Sequence, residues 1–320
     1  MTKMMKKVQK QSSFLNVGNG HNLFIEEFGD PQGDPLLLIH GGSGYVFQDD
    51  DLAFLEDTNR RIIVYHQRGM GSSLPYGETA HNSVQDNIND IERIRAHLGI
   101  ESWDVMSWSF GAVFGGAYTL SHPEHTKSFT AYAPYFGAPQ DYDAINKDPK
   151  SAAQYHSFHG TNAAKGIVKS IFNKASQGDY DTKLQAYWNA VAFFDDNPPS
   201  IEELEQTKTK NEWEDFFNVR LIHAAQDLEL YTSHENLLED IASQNAEAIA
   251  KQSVPVTLIY GEDDLWSAPN SDALSLFPAH KRIEIPGASH MIDNGDVQHT
   301  LKTLLSTSAP VFDRKSQFRP

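Results

Sequence analysis

The sequence predicts an α/β fold: a mostly parallel, doubly wound sheet with an inserted helical cap. Three observations carry this. Short, almost wholly apolar runs such as "PLLLIHGG" and "RIIVYHQRG" end in glycine, the pattern of strands buried on both faces of a parallel sheet. Amphipathic helical stripes alternate with them. That alternation stops near Tyr135 and resumes near Ser253.

The elements follow in order. "FLNVGNGHNLFIEEFG" reads as a hairpin turning at Asn19-Gly20. The two apolar runs then give two buried strands. "SVQDNINDIERIRAHLGI" places Val84, Ile88, Ile91, Ile94 and Leu98 on one helical face and stops at Gly99. "WDVMSWS" and "SFTAYAPY" are the next strands. After the interruption, "VPVTLIYGEDD" is a strand, "SDALSLF" a helix, "KRIEIPGASH" a strand and "VQHTLKTLL" a closing helix. The expected division is core at 1–135 and 253–308, cap at 136–252 and a tail at 309–320. In the cap, Trp188, Phe193, Phe194 and Trp213 read as packing residues.

Composition narrows the function. The chain has 320 residues, enough for a sizeable core, and a formal net charge of −17. Beyond the basic start "MTKMMKKVQKQSSF" there is no Lys/Arg cluster, so a nucleic-acid partner is not expected. That start lacks the apolar centre of a secretory signal and reads as a frayed leader. No apolar run approaches the roughly 20 residues of a membrane span. There is no cysteine, which excludes disulfides, thiolate metal sites and a Cys nucleophile. The expected location is the cytoplasm. No Walker or dinucleotide-binding glycine pattern is complete, and His122 and His125 in "SHPEH" lack metal-like neighbours in sequence. No cofactor and no metal is therefore expected.

The chemistry gathers at "DVMSWSFGAVFGG". A strand turning sharply into a helix holds one side chain out at the carboxyl end of a sheet, and small residues must flank that turn. Ser107-Trp108-Ser109-Phe110-Gly111 matches G-x-S-x-G with serine at the first position. Read alone, Ser109 could equally be a helix N-cap. A serine hydroxyl needs a base to become a nucleophile, and the base needs a carboxylate to orient it. In this topology they follow in the order Ser, acid, His, each after a strand. "VTLIYGEDD" and "RIEIPGASH" supply both, making Ser109, Asp264 and His290 the expected catalytic residues. Asp264 is preferred to Asp263 because the fourth position of a G-x-x-D turn reaches back toward the histidine. The oxyanion donors would be the backbone N–H groups of Phe110 and, from "HGGSG" after the early strand, Gly42.

These residues resemble the α/β-hydrolases and, among them, the proline iminopeptidases (prolyl aminopeptidases). That family carries H-G-G-P-G, D-Q-R-G-x-G-x-S and G-G-S-W-G. Here the matching segments are His40 to Gly44, His66 to Ser73 and Ser107 to Gly111, with Ser43 in place of Pro and His66 in place of Asp. The likeness covers roughly residues 14–135 and 253–305. It implies a cofactor-free serine aminopeptidase that takes a small peptide and holds its free amine on cap glutamates. "AYWNAVAFFDD" does not present such a glutamate. Glu202, Glu203, Glu214 and Glu229 could stand in, and Gly41, Trp108, Glu214 and Glu229 are the candidate substrate-binding residues. The alternatives are an esterase or other acyl hydrolase on the same machinery, and a non-catalytic binding relative.

Overall fold

The computed structural model describes residues 10–42, 46–56, 58–136, 179–185, 188, 199–214, 216–219, 222, 237–252, 254–264, 277, 280–292 and 294–306. Among these residues, eight strands form one sheet in the order β1-β2-β4-β3-β5-β6-β7-β8. β1 (Gln11–Gly18) and β2 (His21–Gly29) form an antiparallel hairpin. Its two-residue turn, Asn19 and Gly20, has φ of 54° and 83°, as a primed turn requires. β2 then joins β4 (Arg60–Tyr65) antiparallel, and every later pairing is parallel. β3 (Asp34–Ile39), β5 (Trp103–Trp108) and β6 (Thr126–Tyr132) fill the centre, and β7 (Val256–Gly261) and β8 (Lys281–Ile285) close the far edge.

The leader reading is corrected in part. Gln11 to Ser13 belong to β1, with Gln11 opposite Glu27. An edge strand held by its backbone ladder needs no apolar run, so the sequence carried no sign of it.

Helices cover both faces. On one face lie α2 (Val84–His97) and α3 (Gly111–Ser121). The stripe Val84, Ile88, Ile91 and Ile94 is buried there as expected. Ser83 caps α2, accepting a hydrogen bond from the Asp86 amide. On the other face, a short helical segment from α1 (Asp49–Leu52) to Leu55 packs with the closing helix Gly295–Leu305.

Most of the stretch expected to form the cap lies outside the described residues. What is described there includes the helices α4 (Ile201–Glu205), α5 (Leu237–Gln244) and α6 (Ala246–Gln252), with the closing helix then numbered α7. Tyr180, Leu184, Trp213 and Phe217 bury a small cluster of their own, which places Trp213 in packing. Asn218 and Ile222 lie against the loop at Gly77 and Gly69. α5 packs differently: Leu238 and Ile241 join the main core beside α3. Phe193, Phe194, the tail and nearly all of the expected helix "SDALSLF" fall outside the described residues.

Two ion pairs sit inside this frame. Arg60 and Asp104 meet at 2.6 Å with side chains 2% and 3% exposed, and Arg60 also donates to the carbonyl of Leu305. Arg68 grips both carboxylate oxygens of Asp90, at 2.5 and 2.7 Å, tying the loop after β4 to α2.

Candidate active site

The side chains expected from the sequence to be functional stand at the carboxyl ends of β3, β5, β7 and β8, where open α/β sheets place their sites. Ser109 occupies the corner between β5 and α3 with φ of +53°, in the left-handed region. A non-glycine residue held there costs about 1–3 kcal/mol and persists because its surroundings over-determine it. Here the Ser109 amide donates to Tyr132 at 3.0 Å, while the Ser109 carbonyl accepts from Ala112 and Tyr135.

His290 follows β8 and Asp264 follows β7. His290 Nε2 lies 2.8 Å from Ser109 Oγ, and His290 Nδ1 lies 3.0 Å from each carboxylate oxygen of Asp264. The Asp264 side chain is fully buried and the imidazole 19% exposed. The contacts assign the tautomer: Nδ1–H donates to the carboxylate, leaving Nε2 to accept the serine proton. Three residues expected from sequence, separated by up to 181 positions, are thus brought into one hydrogen-bonded line. Asp263 instead turns an exposed side chain outward, and its amide donates to the carbonyl of Ala288.

The acid and base turns are laced together. Glu262 donates through its amide to Ile285 and accepts from the Gly287 amide on its carboxylate. A Cβ on Gly261 would lie 2.3 Å from the Ala288 carbonyl oxygen, so only glycine lets the two turns approach this closely. Glu262 in this role was missed at the sequence level.

The loop after β3 lies beside the corner because β3 and β5 are neighbours. Gly41 packs on it: a Cβ there would touch Ser109 Cβ and Trp108 Cε3 at 3.3 Å. His40 Nε2 accepts from the Gln67 amide, and the Gln67 side chain donates back to the His40 carbonyl, joining this loop to the one after β4. Gly42 is partly exposed beside Gly41, and Ser43 and Gly44 fall outside the described residues. Phe110 is the N-cap residue of α3, at the positive end of the helix dipole; its ring is buried, stacked on Tyr135 at 5.7 Å.

The expected substrate-binding residues divide. Trp108 is 3% exposed and donates its indole N–H to the carbonyl of His290 at 2.9 Å. Glu214 forms an ion pair with Lys183 at 2.8 Å. Glu229 lies outside the described residues. Among the described residues, no group of three or more His, Cys, Asp or Glu is arranged to hold a metal ion, and no helix is long and apolar enough to cross a membrane.

The alpha/beta hydrolase fold family model matches residues 34–292. This chain belongs to the alpha/beta hydrolases. Within that family, it is 28% identical to a Mycoplasma pneumoniae protein assigned as a proline iminopeptidase, over 93% of this chain and 98% of that one. It is 38% identical to the proline iminopeptidase of Xylella fastidiosa (strain Temecula1), over 35% of this chain and 36% of that one. Among solved structures, it resembles a proline iminopeptidase-related protein of Thermus thermophilus, with a TM-score of 0.54 and 18% identity over 95% of this chain and 99% of that one. That likeness speaks to the fold.

Proposed function

We propose that this alpha/beta hydrolase is a serine aminopeptidase that releases an N-terminal residue, proline foremost, from short peptides without a cofactor. The observation that carries the reading is the line Ser109 Oγ, His290, Asp264, with contacts of 2.8 and 3.0 Å. The similarity to proteins named proline iminopeptidases supports the substrate class.

In this reading, Ser109 Oγ attacks the carbonyl carbon of the first peptide bond as His290 Nε2 takes its proton. Asp264 holds the tautomer and stabilises the imidazolium. The amides of Phe110 and Gly42 receive the oxyanion. Collapse breaks the C–N bond, and His290 returns the proton to the leaving amine. Water, deprotonated by the same imidazole, then hydrolyses the acyl-enzyme and frees the amino acid. The substrate would be a small peptide with a free amine, and a carboxylate from the residues between β6 and β7 would hold its ammonium group.

Release of naphthylamine from prolyl-β-naphthylamide, lost in Ser109→Ala, is the expected result. Rapid hydrolysis of short-chain aryl esters with no release of proline would instead assign an esterase. Absence of Ser109 labelling by a fluorophosphonate would reject both.

A further inference from the structure

We propose that Tyr132 and Trp108 are positioning residues that brace the His290 loop against the Ser109 corner. The proposal rests on the serine hydrolase reading of this site but not on the choice of substrate.

The loop needs such a brace. β8 ends at Ile285, and Pro286 to His290 continue without regular helix or strand. Its first half is held by the acid turn, through Ala288 and Gly287. The three carbonyls around the imidazole are held otherwise. The Trp108 indole donates to the His290 carbonyl at 2.9 Å. The Tyr132 hydroxyl reaches both the Ser289 carbonyl and, at 3.3 Å, that of Met291. A phenol has one proton, so it donates chiefly to Ser289 and is shared with Met291. Tyr132 and Trp108 are both buried, at 0% and 3% exposure, so these part-buried bonds are shielded from water at their donor ends.

The two donors are coupled by the sheet. Trp108 and Tyr132 are direct partners in the parallel β5–β6 register. Trp108 immediately precedes Ser109, and the Tyr132 carbonyl accepts the Ser109 amide at 3.0 Å. Tyr132 therefore grips the nucleophile's backbone with its carbonyl and the base's backbone with its hydroxyl. The path Ser109–Tyr132–Ser289–His290 closes on itself through the 2.8 Å contact between His290 Nε2 and Ser109 Oγ. A catalytic pair must be held to within about 0.5 Å, and a misplacement of about 1 Å can cost roughly 100-fold in rate. The brace sets that distance without touching substrate.

The test is Tyr132→Phe, which removes the hydroxyl and keeps the ring, with Trp108→Phe as the second arm. Three readouts apply: the rate of Ser109 labelling by a fluorophosphonate, kcat and KM on whichever ester or amide the wild type turns over, and the low-field NMR resonance of the His290 Nδ1–H. Each variant should label about 10-fold more slowly, lose kcat by a similar factor at nearly constant KM, and broaden or shift the imidazole resonance. The double variant should fall by less than the product of the two, since both act on one loop. Wild-type labelling rate and resonance in Tyr132→Phe, or a loss fully explained by a larger unfolded fraction, overturns the brace. A wild type that labels but releases no proline defeats the peptidase reading alone, and the labelling ratio still decides the brace. If the wild type does not label, the serine hydrolase reading falls, and an unchanged resonance takes the brace with it.

Discussion

Gly111 opens α3 so close to the end of β3 that a Cβ on it would lie 2.5 Å from the carbonyl oxygen of His40. This contact seats the glycine-rich loop beside Ser109. In an open helix, Gly→Ala is favourable by up to about 1 kcal/mol. Here Gly111→Ala should lower unfolding free energy by about 2–3 kcal/mol, because the neighbour is backbone and cannot rotate away. Gly295, at the start of α7 with open space around it, is the control, and its alanine variant should be neutral or more stable. Urea unfolding of the two side by side checks this, and equal effects would refute it.

Asp264 and Asp263 are neighbours with different expected roles. Asp264→Asn should lower kcat by about 10³–10⁴-fold, because an amide favours the wrong imidazole tautomer. Asp263→Asn should stay close to wild type, since its side chain is exposed and its contact with Ala288 is made by the backbone amide. Steady-state rates on one aryl ester distinguish the two positions.

His66 gives the fold a pH dependence. Burial and, second, the charge of Lys10 push its imidazole down to about 4. The neutral Nδ1 accepts from the Ser72 amide at 2.8 Å. In the unfolded chain the ring titrates near about 6.5. Between those values the unfolded state binds a proton that the folded state refuses, so stability falls as pH drops through this window, by about 3 kcal/mol in all. His66→Asn keeps an acceptor and removes the titration. Its urea midpoint should change less than that of the wild type between about pH 7 and pH 4. Parallel curves would show that His66 is not the sensor.

The ion pairs should divide by depth. Asp104→Ala leaves the buried Arg60 guanidinium its backbone carbonyls but no counter-charge, and should cost about 3–5 kcal/mol. Arg93→Ala, whose side chain is 48% exposed beside Asp90, should cost less than about 1 kcal/mol. Chemical denaturation of both variants measures the contrast.

Much of this was legible in one dimension because its causes are local. Apolar runs ending in glycine marked β3, β4 and β7, the alternation with helical stripes marked β5 and β6, and all five stand where strands were expected. Asn19-Gly20 marked the hairpin. A serine with glycine behind it on a strand–helix corner, followed by an acid and a histidine after later strands, was enough to select Ser109, Asp264 and His290. β1 escaped at its start because its partners are backbone groups, and the packing of α5 beside α3 was not legible because helical periodicity does not say which layer a helix packs on.

The sequence by itself determined the strand–helix alternation, the strained corner and the residue types at each turn, since these depend on near neighbours and on the hydrophobic period. Only the tertiary structure decided that the Tyr132 hydroxyl and the Trp108 indole hold the His290 loop, that Glu262 clasps Gly287, and that Glu214 is paired with Lys183. A hydrogen bond between residues far apart in the chain leaves no periodic trace in either segment. It exists because strand order and register bring a donor and an acceptor within about 3 Å of each other.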